Sequence, residues 1–402
     1  MKHQYKPLIL LCLVFLTVGA MFCMNDILLP SLVEHFKLNY TQATMIQFSF
    51  YITYVIFPLP VAWMIHRYGY RVSMLVSMLI CSLGCLLFFP ARIFDSYFFV
   101  LLAIFTLSTG ITVINVAANP FITLLGSPEG AHIRMNFVQV FSRIGYAATP
   151  LVATALIYKN SGEIRFHFPY VLLAVIIVIL ATLFYSSKMP SFKAPEEDKF
   201  SVKGLIRESA QHRHLFFGVI AMFFYVGAEA CTAGFFIPYL KEVTGLTEAE
   251  AAKYLTLYYL FAAVMGFISV FVLRFVRAYK LVGFFGLAMI ICYVGVIFLK
   301  TGYNAYVLAG LGIFLSIMFP TIFSLAIENV GTFAAKGSAL LNFAIVGGAF
   351  FPPIQGMVAD KFSVHVSYIV PCFCFAVITL YAFFYTRTPL MNRNSRRELS
   401  SM

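Results

Sequence analysis

Apolar runs of 18 or more residues recur along the whole of this 402-residue chain. Each is long enough to cross a hydrocarbon core of about 30 Å as a helix. We count about twelve, near 8–33, 42–64, 72–90, 97–122, 135–158, 169–187, 215–240, 254–275, 281–299, 305–327, 339–358 and 367–386. Only 11% of the residues are charged and the mean hydropathy is +0.89. Soluble domains average about 25% charged residues, so a water-soluble globule is excluded. The expected fold is an all-α integral membrane protein of twelve transmembrane helices. It leaves little chain for an extramembrane domain.

The first run follows Met1-Lys2-His3-Gln4-Tyr5-Lys6, as a secretory signal would. A signal's apolar region is shorter and ends at small residues before a cleavage site. This one continues past Asn25-Asp26 to Pro30 and reads as a retained first helix. The net charge of +12 follows the membrane rather than a nucleic-acid partner. With both termini inside, about 19 Lys and Arg residues fall on the inner side and 8 on the outer, the bias expected of cytoplasmic loops. Both termini are therefore expected in the cytoplasm, with an even number of crossings. The eight cysteines all lie inside expected spans. None has zinc-site spacing, and buried free cysteine behaves as a small hydrophobe. No cofactor or metal is expected.

The longest polar stretch, 188–213, carries Pro190, Pro195 and the acidic trio Glu196-Glu197-Asp198. It reads as a cytoplasmic linker between a six-helix bundle at 1–187 and another at 214–386, with a cytoplasmic tail at 387–402. A shift of 208 residues lays Gly19-Ala20 on Gly227-Ala228, Cys23 on Cys231 and Pro30 on Pro238. Asn136-Phe137 finds a weaker echo in Asn342-Phe343. Two six-helix pseudo-repeats place a solute site between them near the bilayer midplane.

Three ionisable side chains lie within expected spans: Asp26, Arg143 and Glu229. A charge at membrane depth costs a few kcal/mol even on lenient scales and persists where it faces a polar cavity. Asn136, Gln139 and Arg143 are spaced by 3 and 4 and share one helix face. Ser108, Thr112, Asn115 and Asn119 form a second stripe, with further ones at Thr44, Gln47, Tyr51 and Tyr54, at Tyr225, Glu229 and Thr232, and at Thr321, Ser324 and Glu328. Such stripes offer donors and acceptors to hydroxyls and tyrosine faces to sugar-like rings. The competing reading is helix–helix hydrogen bonding.

A carboxylate in a low-dielectric cavity holds its proton to higher pH, so Asp26 and Glu229 are the candidate proton-coupling groups. The candidate substrate-binding residues are Asn25, Gln47, Asn115, Asn119, Asn136, Gln139, Arg143 and Asn342. Arginine's planar fork matches a carboxylate. Arg143 either binds an acidic group of the substrate or neutralises Asp26 or Glu229. No nucleophile elbow, phosphate loop or His/Cys/Asp cluster appears, so catalysis has no support.

Several segments resemble the fucose permease branch of the major facilitator superfamily, which also holds glucose/galactose and N-acetylglucosamine importers. They are Asn25-Asp26-Ile27-Leu28-Leu29-Pro30, Ala117-Ala118-Asn119-Pro120-Phe121, Arg134-Met135-Asn136-Phe137, Phe319-Pro320-Thr321-Ile322-Phe323-Ser324-Leu325, Lys336-Gly337-Ser338 and Pro352-Pro353. The turn His66-Arg67-Tyr68-Gly69-Tyr70-Arg71 is similar to the family's Asp-Arg-x-Gly-Arg signature, with His66 in place of its Asp. The resemblance implies a monomeric bacterial inner-membrane importer of a monosaccharide by proton symport and alternating access. It also implies a coupling role for Asp26.

Two departures bear on the substrate. Asn115 stands where the family carries a glutamate, and Arg143 where it carries a small or polar residue. That shift of charge suits an acidic sugar such as a sialic acid or a hexuronate. The alternatives are a neutral hexose, fucose or N-acetylglucosamine, or a non-transporting sugar sensor.

Overall fold

The structure is a computed structural model that describes residues 5–125, 131–157, 167–187, 213–272, 275–299, 301–327 and 334–385. Glu328, the expected tail and all but the last residue of the expected linker lie outside the described residues. Among the described residues every regular element is helical.

Span 1 is one helix, Tyr5–Phe36, and span 2 is broken into Tyr40–Ala43, Met45–Tyr51 and Thr53–Ile56 before it continues in Pro58–Leu86. Pro58 and Pro60 stand in the first turn of Pro58–Leu86, where the N–H they lack would have no partner within that helix. Within Pro58–Leu86 the chain reverses at Gly69, whose φ of 77° suits only glycine, and so passes into span 3. Phe88–Ile93 completes span 3. Span 4 is Tyr97–Leu124, span 5 Ala131–Ile157 and span 6 Phe168–Ser186. In the second half, span 7 is Arg213–Gly234 with Phe236–Tyr239 and a π turn Leu240–Thr244, span 8 is Glu248–Val272 and span 9 is Ala278–Phe298. Span 10 is Asn304–Leu315 with Met318–Ile327. Span 11 is Ala334–Phe343 and Gly347–Lys361 across a 3₁₀ turn, and span 12 is Val364–Ser367 with Ile369–Tyr385. Ten helical stretches among the described residues are long and apolar enough to cross a membrane. The fragmented span 2 and span 5, which carries Arg134 and Arg143, complete the twelve.

Large apolar side chains such as Ile93, Phe98, Tyr185, Ile291 and Phe298 are exposed, as a surface solvated by lipid allows. Close helix pairs form where small residues meet. A Cβ at Gly145 would collide with the Leu16 carbonyl, and one at Gly347 with the Phe223 carbonyl. Spans 1 and 5 of one half thus touch as spans 7 and 11 of the other do, through small residues that let backbones approach. Part of the polar patterning serves this packing. Thr53 Oγ1 lies 2.7 Å from Ser108 Oγ and 3.0 Å from Thr112 Oγ1. Thr232 Oγ1 lies 2.6 Å from Tyr293 Oη. Ser108, Thr112 and Thr232 therefore brace helices.

The end of the bundle at residues 36–40, 93–97, 244–248 and 361–364 is the one that the charge bias leads us to expect on the outer side. There the halves are locked together. Asp360, near the end of span 11, accepts hydrogen bonds from Tyr40 N at 2.6 Å, Thr41 N at 2.7 Å and Thr41 Oγ1 at 2.6 Å. Asn39 caps the same helix start from its own strand of chain: its Oδ1 accepts from Gln42 N at 2.7 Å, and its N–H donates to Gln42 Oε1 at 3.1 Å. The first N–H groups of a helix have no partner within it. Here one is met locally, and two are met by the opposite half. Lys241 of span 7 pairs with Glu248 and lies 3.9 Å from Glu34 of span 1. The Tyr40 ring lies 5.6 Å from Phe235. That end of the bundle is closed.

Replacing Asp360 by Ala removes both amide acceptors at once, whereas loss of one cap costs about 1 kcal/mol. Hydrogen exchange of the peptide covering residues 38–44 is expected to speed up by about tenfold. Exchange at the wild-type rate would show that the carboxylate does not hold the outer end.

Candidate functional site

Span 1 carries Asn25 and Asp26 into the seam between the halves, where they are 2% and 7% exposed. Asp26 Oδ2 accepts a hydrogen bond of 2.7 Å from Tyr259 Oη of span 8. This bond joins residues 233 positions apart across the two halves. Tyr259 is held by rings on both sides, with Tyr146 of span 5 at 5.1 Å and Tyr258 at 5.0 Å. Tyr146 in turn contacts Phe22 of span 1 at 5.9 Å.

One helical turn inward on span 5, Arg143 is partly buried and the Nη1 end of its guanidinium points at Gly266 of span 8. A Cβ at position 266 would occupy the place of Nη1. The guanidinium is within electrostatic reach of Glu229 and Tyr225 on span 7, and the Tyr225 hydroxyl donates to the Leu315 carbonyl at 3.4 Å. Glu229 and Asp26 also feel one another. Among the described residues, neither carboxylate forms an ion pair with Arg143. In place of a fixed Asp26–Arg143 pair, the described residues show a looser arrangement of two carboxylates and one guanidinium, with the Tyr259 hydroxyl on Asp26.

Gln47 is fully buried on span 2, and neither atom of its amide has a hydrogen-bond partner. Its Nε2 stands where a Cβ at Gly234 of span 7 would come within 2.7 Å. Asn25 Oδ1 and Asn119 Oδ1 are likewise buried without partners. Unmet polar atoms at a seam are costly unless something binds them, and sugar hydroxyls both donate and accept. Asn115 Nδ2 is already occupied by Tyr54 Oη at 3.0 Å. Gln139 is partly buried one turn before Arg143. The side chain of Asn136 lies outside the described residues. Asn342 is exposed, and among the described residues no hydrogen bond ties it to the central groups.

The structure thus brings Asn25, Asp26, Gln47, Arg143 and Glu229 to one seam. It adds Tyr259, Tyr146 and Gly266, which the polar patterning does not single out. Tyr259 and Gly266 are seven positions apart and share one face of span 8, but that face carries no charge to mark it. Among the described residues, no three His, Cys, Asp or Glu side chains gather where they could hold a metal ion.

The sequence matches the profile of the Major Facilitator Superfamily over residues 10–346. It is 37% identical to a glucose/galactose transporter of Brucella abortus over 94% of both chains. It is 29% identical to the L-fucose-proton symporter of Escherichia coli over 95% of this chain and 93% of that one. A major facilitator transporter, FucP, solved in the outward conformation superposes with a TM-score of 0.69 at 28% identity, over 94% of this chain and 98% of that one.

Gly266→Ala tests the seating of Arg143. The added methyl must push the guanidinium aside, and a misplacement of about 1 Å can lower the rate of a positioned process by up to about a hundredfold. Transport is expected to fall by about tenfold or more while the melting midpoint moves by only a few degrees. Unchanged transport would mean that the position of Arg143 is immaterial.

Proposed function

Because the chain belongs to the major facilitator superfamily and is a membrane transporter rather than an enzyme, we propose that it imports a neutral hexose together with a proton. The sugar is of the glucose or galactose kind. The halves at 1–187 and 214–386 would rock about the seam that holds Asp26, Glu229 and Arg143. The protein would work as a monomer in a bacterial inner membrane, with both termini in the cytoplasm.

The observation that carries this reading is the environment of Asp26. Its hydrogen-bond partner is the neutral hydroxyl of Tyr259, not a cation. An ion pair would pin the carboxylate in its charged form, whereas a hydroxyl can serve it both with and without a proton. The partnerless amide of Gln47 and the partnerless Oδ1 atoms of Asn25 and Asn119 suit a ligand rich in hydroxyls. The names of the relatives point to neutral sugars and, for one of them, to proton coupling. Charge balance agrees: two carboxylates and one guanidinium sum to zero once a single proton is held.

A second reading keeps the acidic sugar. Arg143 has electrostatic but no ion-paired partners among the described residues, so its fork is open to a substrate carboxylate. Arg143→Gln separates the two readings.

Uptake in proteoliposomes is the test, with labelled glucose, galactose, fucose, glucuronate and sialic acid under an inward proton gradient. Uphill accumulation of a neutral hexose is expected, with acidic sugars excluded. Asp26→Asn is expected to retain exchange and to lose uphill accumulation by at least about tenfold, since it carries no titrating proton. Accumulation of an acidic sugar that Arg143→Gln abolishes would establish the second reading. Binding without movement of any sugar would leave a sensor.

A further inference from the structure

We infer that Tyr259 is a positioning residue that makes Asp26 release its proton when the outer end of the bundle is closed. The inference rests on the reading of Asp26 as carrier of the coupled proton and supplies what that reading lacks: a reason for the proton to leave on the inner side.

Asp26 belongs to span 1 of the first half, and Tyr259 to span 8 of the second. The 2.7 Å bond between them therefore exists only while the halves are together at this level. In this structure they are together, closed further out by Asp360 on Tyr40 and Thr41 and by Lys241 beside Glu34. Opening the outer end by rocking one half against the other withdraws span 8 from span 1, and the hydroxyl goes with it.

The neighbourhood offers no substitute. The titratable groups that Asp26 feels are Cys23 on its own helix, Tyr51 of span 2, Tyr146 of span 5, Tyr170 of span 6, Glu229 of span 7, and Tyr258 and Tyr259 of span 8. Glu229 is the one other carboxylate among them, and when ionised it repels a second. Arg143 faces Gly266, Tyr225 and Glu229. Tyr259 supplies the one hydrogen bond that Asp26 makes among the described residues.

A hydrogen bond to an ionised acceptor is roughly twice as strong as one between neutral groups. A donor present only in the closed state therefore favours the ionised carboxylate in that state and not in the open one. By linkage, loss of the proton favours closure to the same degree. Proton and sugar taken up through an open outer end would reach a closed one in which the proton leaves more easily. The rings of Tyr146 and Tyr258 fix the Tyr259 hydroxyl so that only movement of the halves breaks the bond.

Tyr259→Phe keeps the ring and its packing and removes the donor. In proteoliposomes, the pH at which sugar exchange declines is expected to rise by about one unit, because one unit corresponds to the modest energy of a single such bond. Uphill accumulation under a proton gradient should fall by about tenfold. A fluorinated tyrosine at 259, the same shape but a stronger donor, should move the decline to lower pH. Tyr146→Phe should leave the profile in place.

A Tyr259→Phe profile that overlays the wild type, or an equal shift in Tyr146→Phe, would overturn the inference. If Tyr259→Phe proves unstable on melting, the fluorinated variant decides alone, and an unmoved profile there overturns it too. Asp26→Asn keeps the two questions apart. If that variant accumulates sugar uphill, the proton-carrier reading itself has failed. If it does not, an unaltered Tyr259→Phe profile counts against Tyr259 only.

Discussion

Lipid offers no water to a polar group, and everything in this structure follows from where the chain puts the groups that need it. A hydroxyl, amide or charge at membrane depth must bond within the bundle or face a polar path. The hydroxyls mostly take the first course: Thr53, Ser108 and Thr112 satisfy one another inside the first half, and Thr232 meets Tyr293 inside the second. The charges take the second. Asp26, Glu229 and Arg143 all stand at the seam between halves, where a movement of the halves changes what surrounds them.

The same constraint gives the outer closure its character. A helix start has free N–H groups that need an acceptor wherever they lie. At span 2 the chain supplies one acceptor from Asn39 and takes the other two bonds from Asp360 of the opposite half. The start of span 2 is therefore satisfied from within the protein only when the outer end is shut. Its position at the membrane surface lets water replace Asp360 when the end opens, so the contact can be made and broken at small cost. A comparable arrangement at bilayer depth would be far harder to release.

The spans were legible because the length of an apolar run is a direct physical requirement of the membrane. The turn at Gly69 was legible because few residues other than glycine reverse the chain there. Gly19, Gly227 and the two prolines exposed the repeat. The site was only partly legible. Asp26, Glu229 and Arg143 stood out as charges among apolar residues, and Gln47 as an amide. Their mutual arrangement did not, because helical spacing fixes a face but not which helix lies opposite. Tyr259 and Gly266 left no mark, since a tyrosine and a glycine are ordinary in a membrane helix. Ser108 and Thr112 follow the same spacing as a cavity stripe while bonding a neighbouring helix, as the competing reading of such stripes has it. Spacing alone cannot tell a hydroxyl that braces from one that binds.

The repeat and the site bear an inverse relation. Under the shift of 208 residues that aligns Gly19 with Gly227 and Pro30 with Pro238, Asp26 falls on Gly234, and Glu229 falls on Met21. What the halves share is packing: the small residues that let spans 1 and 5, and spans 7 and 11, approach. What they do not share is chemistry. Gly234, where the repeat would place a second carboxylate, is the surface against which Gln47 lies. A carboxylate there would fill the room that the amide occupies. Duplicated packing gives two bodies that can rock about one seam, and single, unduplicated charges let the two sides of that seam differ. A transporter needs both, because a fully symmetric seam would give a proton no reason to prefer one side.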